Sequence, residues 1–387
     1  MAILRRAITI ALLALASPWV YDRYLGFSNM FTNRPGSLVE INTFKSLDVK
    51  FTDTIKNCED VVLVEDKGVA LLSCDPGRDR WNTVMGTFTK DDGLNTGSGI
   101  WIYDYSTTDS LTRITLANFP SAHDFHPLGL DLDESTSTLY IVNHARSGLA
   151  IELFHLAINT ATATHIRTFT HPLLHAPNAV EPLGNGKLYV TNDHLITAST
   201  SQVLSKLETF SGLPGGSVVY IDLAAPEESK TVARVPFANG VVRLNTSHLA
   251  VASSSKAGVY IYAVQPDHSL TFEKLIRTPS SVDNLSVDSA GTLLMAGHPF
   301  APQLMKVAEK RPGCVENGSA EEKEVCGCDA PSWASEWSEK TGLMTLLVSS
   351  GVGEEALCSS STVVRDVGRG VGIVGMLYGR GIGVFRV

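Results

Sequence analysis

From about Phe51 onward, apolar residues fall in short runs where they alternate with polar ones. "VVLVEDKGVALLSC", "GSGIWIYDY", "STLYIVNHARSGLAIELFHL", "GKLYVTNDH", "GSVVYIDL", "SHLAVASSSKAGVYIYAV" and "GTLLMAGHP" are the clearest. A period of two predicts strands, and the Gly, Asn, Ser or Asp residues between most runs predict turns. Helical periodicity is scarce, and Ile196–Phe210 is the one helix candidate. A loose repeat is also visible. A turn such as "LDEST" or "VDSAG" leads into an apolar strand, and a second alternating strand such as "VYIYAV" follows. The units recur at roughly the 40–50-residue spacing of propeller blades. About six fit between Phe51 and Val387. A sandwich also supplies many short strands but rarely fills about 300 residues as one domain. The pattern predicts an all-β fold, a six-bladed β-propeller over 51–387. Its central channel would gather polar residues that lie far apart in the chain.

Three stretches depart from this pattern. Residues 1–25 read as a signal peptide or signal anchor: Arg5 and Arg6 precede an apolar run from Ala7 to Ala16. The run is short for a membrane span, and Ala14-Leu15-Ala16 fits a small-x-small cleavage site. In the anchor alternative, Trp19, Tyr21 and Tyr24 are interfacial aromatics and the segment associates with a membrane. Residues 26–50 carry no strong period and read as a connector. Arg311–Lys340 is rich in Glu, Ser, Gly and Cys and reads as a surface insertion between blades.

Charge changes the picture modestly. The 387-residue chain carries a formal net charge of -9, with 18% charged residues. A nucleic-acid partner would favour a basic patch, so none is expected. An oxidising compartment would let the six cysteines pair. Cys314, Cys326 and Cys328 crowd one polar stretch, where a loop-closing bridge is expected. A zinc site is the rival, but "CGC" lacks spaced pairs and a nearby His. Asn245, Asn317 and Asn284 each open a glycosylation sequon, which burial would block at Asn284.

The chemistry concentrates at strand entries. Glu59 precedes "VVLVED", Asn178 precedes "VEPLG", Asn239 precedes "VVRL", and Asp283-Asn284 precede "LSV". Alternation on a regular strand would put Asp283 and Leu285 on one face and Val282 and Asn284 on the other. Singly, each polar residue reads as a turn or bulge residue. Together, at blade spacing, they offer five oxygen ligands, two of them carboxylates, for a hard divalent cation such as Ca2+.

These stretches carry a family resemblance. "CEDVVLV", "FHPLGLDL", "YIVNHARSGLAIELF", "PNAVEPLG", "YVTNDH", "FANG", "SVDNLSVD" and "AGHP", and more weakly "SSTVV", run in the order found in the serum paraoxonase/arylesterase family over most of Cys58–Val364. That family consists of six-bladed propellers with calcium in the central tunnel. The resemblance implies that Glu59, Asn178, Asn239, Asp283 and Asn284 hold a catalytic calcium. It also implies a hydrolase whose substrates are small aryl esters or lactones, which the N-terminal segment would direct into the secretory pathway.

Three departures follow from the same resemblance. A second, structural calcium would use Asp60, the carbonyl of Leu130 and position 179, but position 179 is alanine. The family's paired active-site histidines correspond to Leu128 and His144, and leucine moves no protons. The family's disulfide between an N-terminal and a C-terminal cysteine has no counterpart, since no cysteine precedes Cys58 or follows Cys358. Strand pairing is left to seal the ring. The candidate general bases are His144, Asp283 and His126. The last lies two residues before Leu128, so a regular strand would turn both to one face. His194 and His298 read as packing residues near the tunnel, with a substrate-lining role open to His298. The alternatives are a calcium-stabilised binding module without turnover, favoured by Leu128, and a sugar-lactonase-like activity.

Overall fold

The apolar runs become strands stacked in neighbouring sheets, with inner strands covered on both faces and outermost strands largely exposed. In a computed structural model describing residues 2–90, 97–353 and 356–387, six four-stranded antiparallel meanders account for most of the chain. The leading strands are β1 (Lys56–Val64), β2 (Pro127–Asp133), β3 (Pro177–Gly184), β4 (Ala238–Asn245), β5 (Ser281–Val287) and β6 (Ser360–Asp366). Each of them contacts the next, and β6 contacts β1, so the six form a closed ring. Apolar cores lie between neighbouring sheets. One joins Leu71, Ile100, Leu130, Ile141 and Phe154, and another joins Leu128, Val142, Ile151, Val190 and Val219. With both faces packed, a strand such as Thr138–Ala145 is almost wholly buried.

All six leading strands share one irregularity. The pairing register shifts at Cys58/Asp60, Pro127/Leu130, Pro177/Val180, Ala238/Val241, Val282/Leu285 and Ser360/Thr362. A bulge sets two residues against one and breaks the alternation of side chains. This corrects the face assignment expected for "SVDN". Val282 and Leu285 share one apolar core, while Asp283 and Asn284 are both turned away from it. The bulged segments pack closely. A Cβ at Gly240 would lie 2.7 Å from the Asn284 Cα, and one at Gly129 would lie 2.5 Å from the Asn178 carbonyl oxygen. Only glycine fits such an approach.

The ring is sealed by backbone pairing. Ser46–Lys50 runs antiparallel to Ile382–Arg386, in a register that sets Leu47 against Phe385. Val371–Arg380 pairs with both β6 and β1, joining the first and last sheets. Residues 26–50 are therefore more than a connector: their end is an edge strand of the closing sheet. Disulfides staple local loops, joining Cys58 to Cys74, Cys314 to Cys326 and Cys328 to Cys358. No cysteine among the described residues is free, which removes the thiolates a zinc site would need. The irregular stretch expected at 311–340 ends sooner. Ser332–Ser338 is the third strand of the β5 sheet, with Trp333 and Trp337 four residues apart and so on one side of a regular strand.

Three helices cap one end of the ring: α1 (Ala2–Thr32), α2 (Gln202–Ser211) and α3 (Ala301–Lys310). α2 lies within the stretch where a helix was expected. α1 runs through the expected boundary at residue 25. In the apolar run Ala7–Ala16, only the Ala14 and Ala16 side chains are among those described. No helix among the described residues is long and apolar enough to cross a membrane. The second half of α1 docks on the protein. Trp19 Nε1 donates to the Ser211 carbonyl at 2.8 Å, and Arg23 Nη1 donates to that of Ser255 at 2.9 Å. Asp22 accepts from Lys256 at 2.6 Å, from Arg23 at 2.7 Å and from Arg277.

Burial would raise the Asp22 carboxyl, but hydrogen bonds from Lys256, Arg277 and Arg23 outweigh it and hold the group at about 2, against an ordinary 3.8. A folded value below the unfolded one gives stability that is complete above the unfolded value and lost as pH falls through the folded one. Protection of α1 from pepsin should therefore weaken between about pH 4 and pH 2. Asp22→Asn should release α1 already at neutral pH, as seen by limited proteolysis, and should show no further change across that acidic window. An identical acid profile in both proteins would refute this anchoring role.

Candidate functional site

The bulges at the starts of β1, β3, β4 and β5 turn Glu59, Asn178, Asn239, Asp283 and Asn284 toward the ring axis. All five are buried. The amide nitrogens of Asn239 and Asn284 are spent on the wall. Asn239 Nδ2 donates to Ser254 Oγ at 3.1 Å and to Asp283 Oδ1 at 2.5 Å. Asn284 Nδ2 donates to Glu59 Oε1 at 2.8 Å and to Thr362 Oγ1 at 3.1 Å. Their oxygens are left over. Glu59 Oε2, Asn178 Oδ1, Asn239 Oδ1 and Asn284 Oδ1 are buried without any hydrogen-bond partner. An unsatisfied buried acceptor costs about 1–3 kcal/mol, and four in one place would be a large penalty without a shared partner.

Oxygen-only donors of mixed charge are what a hard cation takes. Burial first, and then the charges of Asp60 and Asp283, push the Glu59 carboxyl well above its usual range, and a cation placed between the two carboxylates would reverse that. No three His, Cys, Asp or Glu side chains among the described residues form a metal-binding group. That fact does not weigh against this set, since three of its five donors are amides. The residues fit a calcium-type cation.

The second expected cation position is different. Asp60 Oδ1 accepts from Val61 N at 2.9 Å and from Thr362 Oγ1 at 3.0 Å, and Oδ2 accepts from Leu130 N at 3.0 Å. Both oxygens are engaged, Leu130 meets Asp60 through its N–H, and Ala179 has no side-chain donor. Burial still pushes the Asp60 carboxyl up to about 6 despite these bonds. With no side-chain oxygen at Ala179, this set offers fewer donors than the first.

Of the three candidate bases, Asp283 lines the cavity above the oxygen floor, and His126 and His144 do not. His126 is buried with Nδ1 at 3.2 Å from Asp75 Oδ2, its ring tilted beside Trp81. The register shift beginning at Pro127 breaks the regular alternation that would have brought it round to the side of Leu128. His144 is locked from both sides. Its Nε2 donates to the Pro177 carbonyl at 2.6 Å, so Nδ1 accepts from Thr83 Oγ1 at 2.5 Å. Burial lowers its basicity further. His194 ties α2 down through Asp193 at 2.8 Å and Thr209 at 2.7 Å.

His298 does what the other two histidines do not. It lines the cavity, its Nε2 lies 2.8 Å from Asp283 Oδ2, and its buried Nδ1 has no partner. The "AGHP" stretch marked His298 as close to the tunnel, but nothing in one dimension paired it with Asp283. Thr362, which knits Glu59, Asp60 and Asn284 together, was visible only in the weakly matching "SSTVV".

A cavity of about 320 Å³ sits above the oxygen floor. Glu59, Asn178, Asn239, Asp283, His298 and Arg78 form its base. Leu128, Phe237 and Leu377 line its sides. Phe27 and Met30 of α1, Phe210 of α2 and Leu304 and Met305 of α3 roof it. Asp60, Ala179, Gly240 and Asn284 line a second, smaller cavity on the other side of the floor. The floor thus divides the ring axis in two.

The chain is 27% identical over 317 residues to serum paraoxonase/lactonase 3 of Oryctolagus cuniculus, covering 79% of this chain and 84% of that protein. It is 31% identical over 198 residues to serum paraoxonase/arylesterase 2 of Rattus norvegicus, covering 50% of this chain and 54% of that protein. A luciferin-regenerating enzyme shares the fold, with a TM-score of 0.52 at 13% identity, over 88% of this chain and 95% of that one. The family profile described as Arylesterase matches residues 90–316, more than half of the sequence. The chain belongs to the arylesterase family, the family of the serum paraoxonases.

Proposed function

We propose that the protein is a calcium-dependent hydrolase of carboxylic esters and lactones, built on a six-bladed β-propeller. Family membership supports the esterase or lactonase class. The single observation that carries calcium dependence is the convergence of four partnerless buried oxygens beside Asp283. The closed ring of six meanders supports the propeller reading. Three disulfides fit an oxidising compartment, so the secretory pathway or exterior is the proposed location.

Glu59, Asn178, Asn239, Asp283 and Asn284 would hold the cation. When bound, it would supply Lewis-acid polarisation of the substrate carbonyl. The apolar roof excludes bulk water and seats the acyl or lactone body. Asp283 Oδ2 accepts from His298 Nε2–H, which fixes the tautomer and leaves the buried Nδ1 as an acceptor without a partner. We assign to His298, which lines the cavity where His144 does not, the uptake of a proton from attacking water, the task that Leu128 cannot perform. A calcium-stabilised binding module without turnover is the second reading, and Leu128 is the observation that favours it.

Calcium should raise the melting temperature in proportion to ln[Ca2+] above Kd, and a chelator should reverse the shift. Asp283→Asn and Glu59→Gln should each weaken that binding at least about tenfold, since each removes a charged ligand. Hydrolysis of phenyl acetate and a panel of lactones should vanish with chelator. A thermal shift without turnover of any substrate would instead establish the binding module.

His298→Gln should lower kcat by about 10²–10⁴ with calcium affinity kept within a few-fold, the usual scale for losing a positioned base. His144→Gln should act mainly on stability. Full turnover in His298→Gln would remove it as the proton acceptor.

A further inference from the structure

Arg78 is the one cation in the base of the cavity, and the protein leaves it underused. It lies in a short helical turn, Pro76–Asp79, that Asp75 caps by accepting from Gly77 N at 2.8 Å. The side chain is only 3% exposed. A guanidinium carries five N–H donors. Arg78 uses Nη2 on the Pro127 carbonyl at 3.1 Å, and its Nε is buried with no partner. No carboxylate among the described residues lies within ion-pair distance of it. The adjacent acids are committed elsewhere. Asp79 pairs with Lys56 and Arg311, each at 3.1 Å. Asp75 is taken by Gly77 N, by Ser98 at 2.5 Å and by His126 at 3.2 Å. Glu59 feels the Arg78 charge, but its oxygens face Asn284 and the ring axis.

A buried, half-paired guanidinium is costly, and its planar fork suits a carboxylate. Its carbonyl anchor, Pro127, immediately precedes Leu128, so the charge lies where the cavity wall turns apolar. A ligand that fits must bring one negative group to Arg78 and an apolar body to the roof.

We infer that Arg78 is a specificity-determining residue that selects esters and lactones bearing a free carboxylate over neutral ones. The inference rests on the hydrolase reading for its substrate class, while the binding itself does not require turnover.

Two matched pairs of compounds test it. For turnover, mono(4-nitrophenyl) glutarate is compared with 4-nitrophenyl valerate, with calcium present. The wild type should prefer the charged ester in kcat/KM by about tenfold or more, and Arg78→Gln should reduce that ratio about 10- to 100-fold, mainly through KM, the scale of lost charge-assisted bonds. For binding, N-phenylglutaramic acid and N-phenylpentanamide, which resist hydrolysis, are titrated by calorimetry with calcium and again with chelator. The charged anilide should bind more tightly to the wild type in both conditions, which separates Arg78 from a carboxylate held by metal. Arg78→Lys keeps the charge without the fork and should retain part of the preference. If neither ester is turned over, the hydrolase reading fails and calorimetry alone decides for or against Arg78. Equal affinity of the wild type for the two anilides, or a ratio unmoved in Arg78→Gln, overturns the inference. Should Arg78→Gln fail to fold, the wild-type ratio and Arg78→Lys still decide for or against it.

Discussion

Buried oxygen with nothing to accept from is the constraint around which this molecule is arranged. Glu59, Asn178, Asn239 and Asn284 each present one such atom at the ring axis, and a buried acceptor left without a partner costs a folded chain about 1–3 kcal/mol. The surroundings hold them there on purpose-built supports. Ser254, Thr362 and the neighbouring carboxylates absorb the amide donors of Asn239 and Asn284, so their carbonyl oxygens point inward. The bulges make this possible, because a regular strand would send Asp283 and Asn284 to opposite faces. Glycines 129 and 240 let the bulged strands approach closely enough for the ring to close around the floor.

Rigidity of the floor depends on closure far from it. The pairing of Ser46–Lys50 with Ile382–Arg386 hydrogen-bonds an edge that would otherwise be open. This does the job that a terminal disulfide does in the family that the sequence resembles. The six cysteines were free to serve local ends instead. Cys58–Cys74 ties the first two strands beside Glu59, and Cys328–Cys358 holds the chain entering β6. The helical roof is held differently, by ion pairs and carbonyl contacts around Asp22 and Arg23. That attachment of α1 is polar, whereas α3 buries Leu304, Val307 and Ala308 in an apolar cluster with Leu377 and Tyr378.

The proton chemistry illustrates how position outranks identity. His126 and His144 have the right side chain, yet one is bound to Asp75 and the other is held between Thr83 and the Pro177 carbonyl. His298 has the same ring with one nitrogen against Asp283 and the other unclaimed. A substitution at Leu128 therefore need not abolish proton transfer, provided that another ring reaches the cavity. Arg78 extends the point, since its turn "DPGRD" looks like ordinary loop sequence until its neighbours are seen to be occupied.

The sequence by itself determined the period-two strands, their recurrence and the residue types at their entries. Those follow from local sterics and from the need to bury alternate side chains. It also singled out the five oxygen-bearing residues that the fold gathers and buries, because a carboxylate or amide before four of the apolar runs is visible in one dimension. Only the tertiary structure decided where they point, since a bulge depends on the partner strand. The pairing of His298 with Asp283, the enclosure of His144, the unpaired state of Arg78 and the strand identity of Ser332–Ser338 were decided the same way. Each depends on contacts between segments remote in the chain, and no local pattern encodes which neighbour will already have taken a donor or an acceptor.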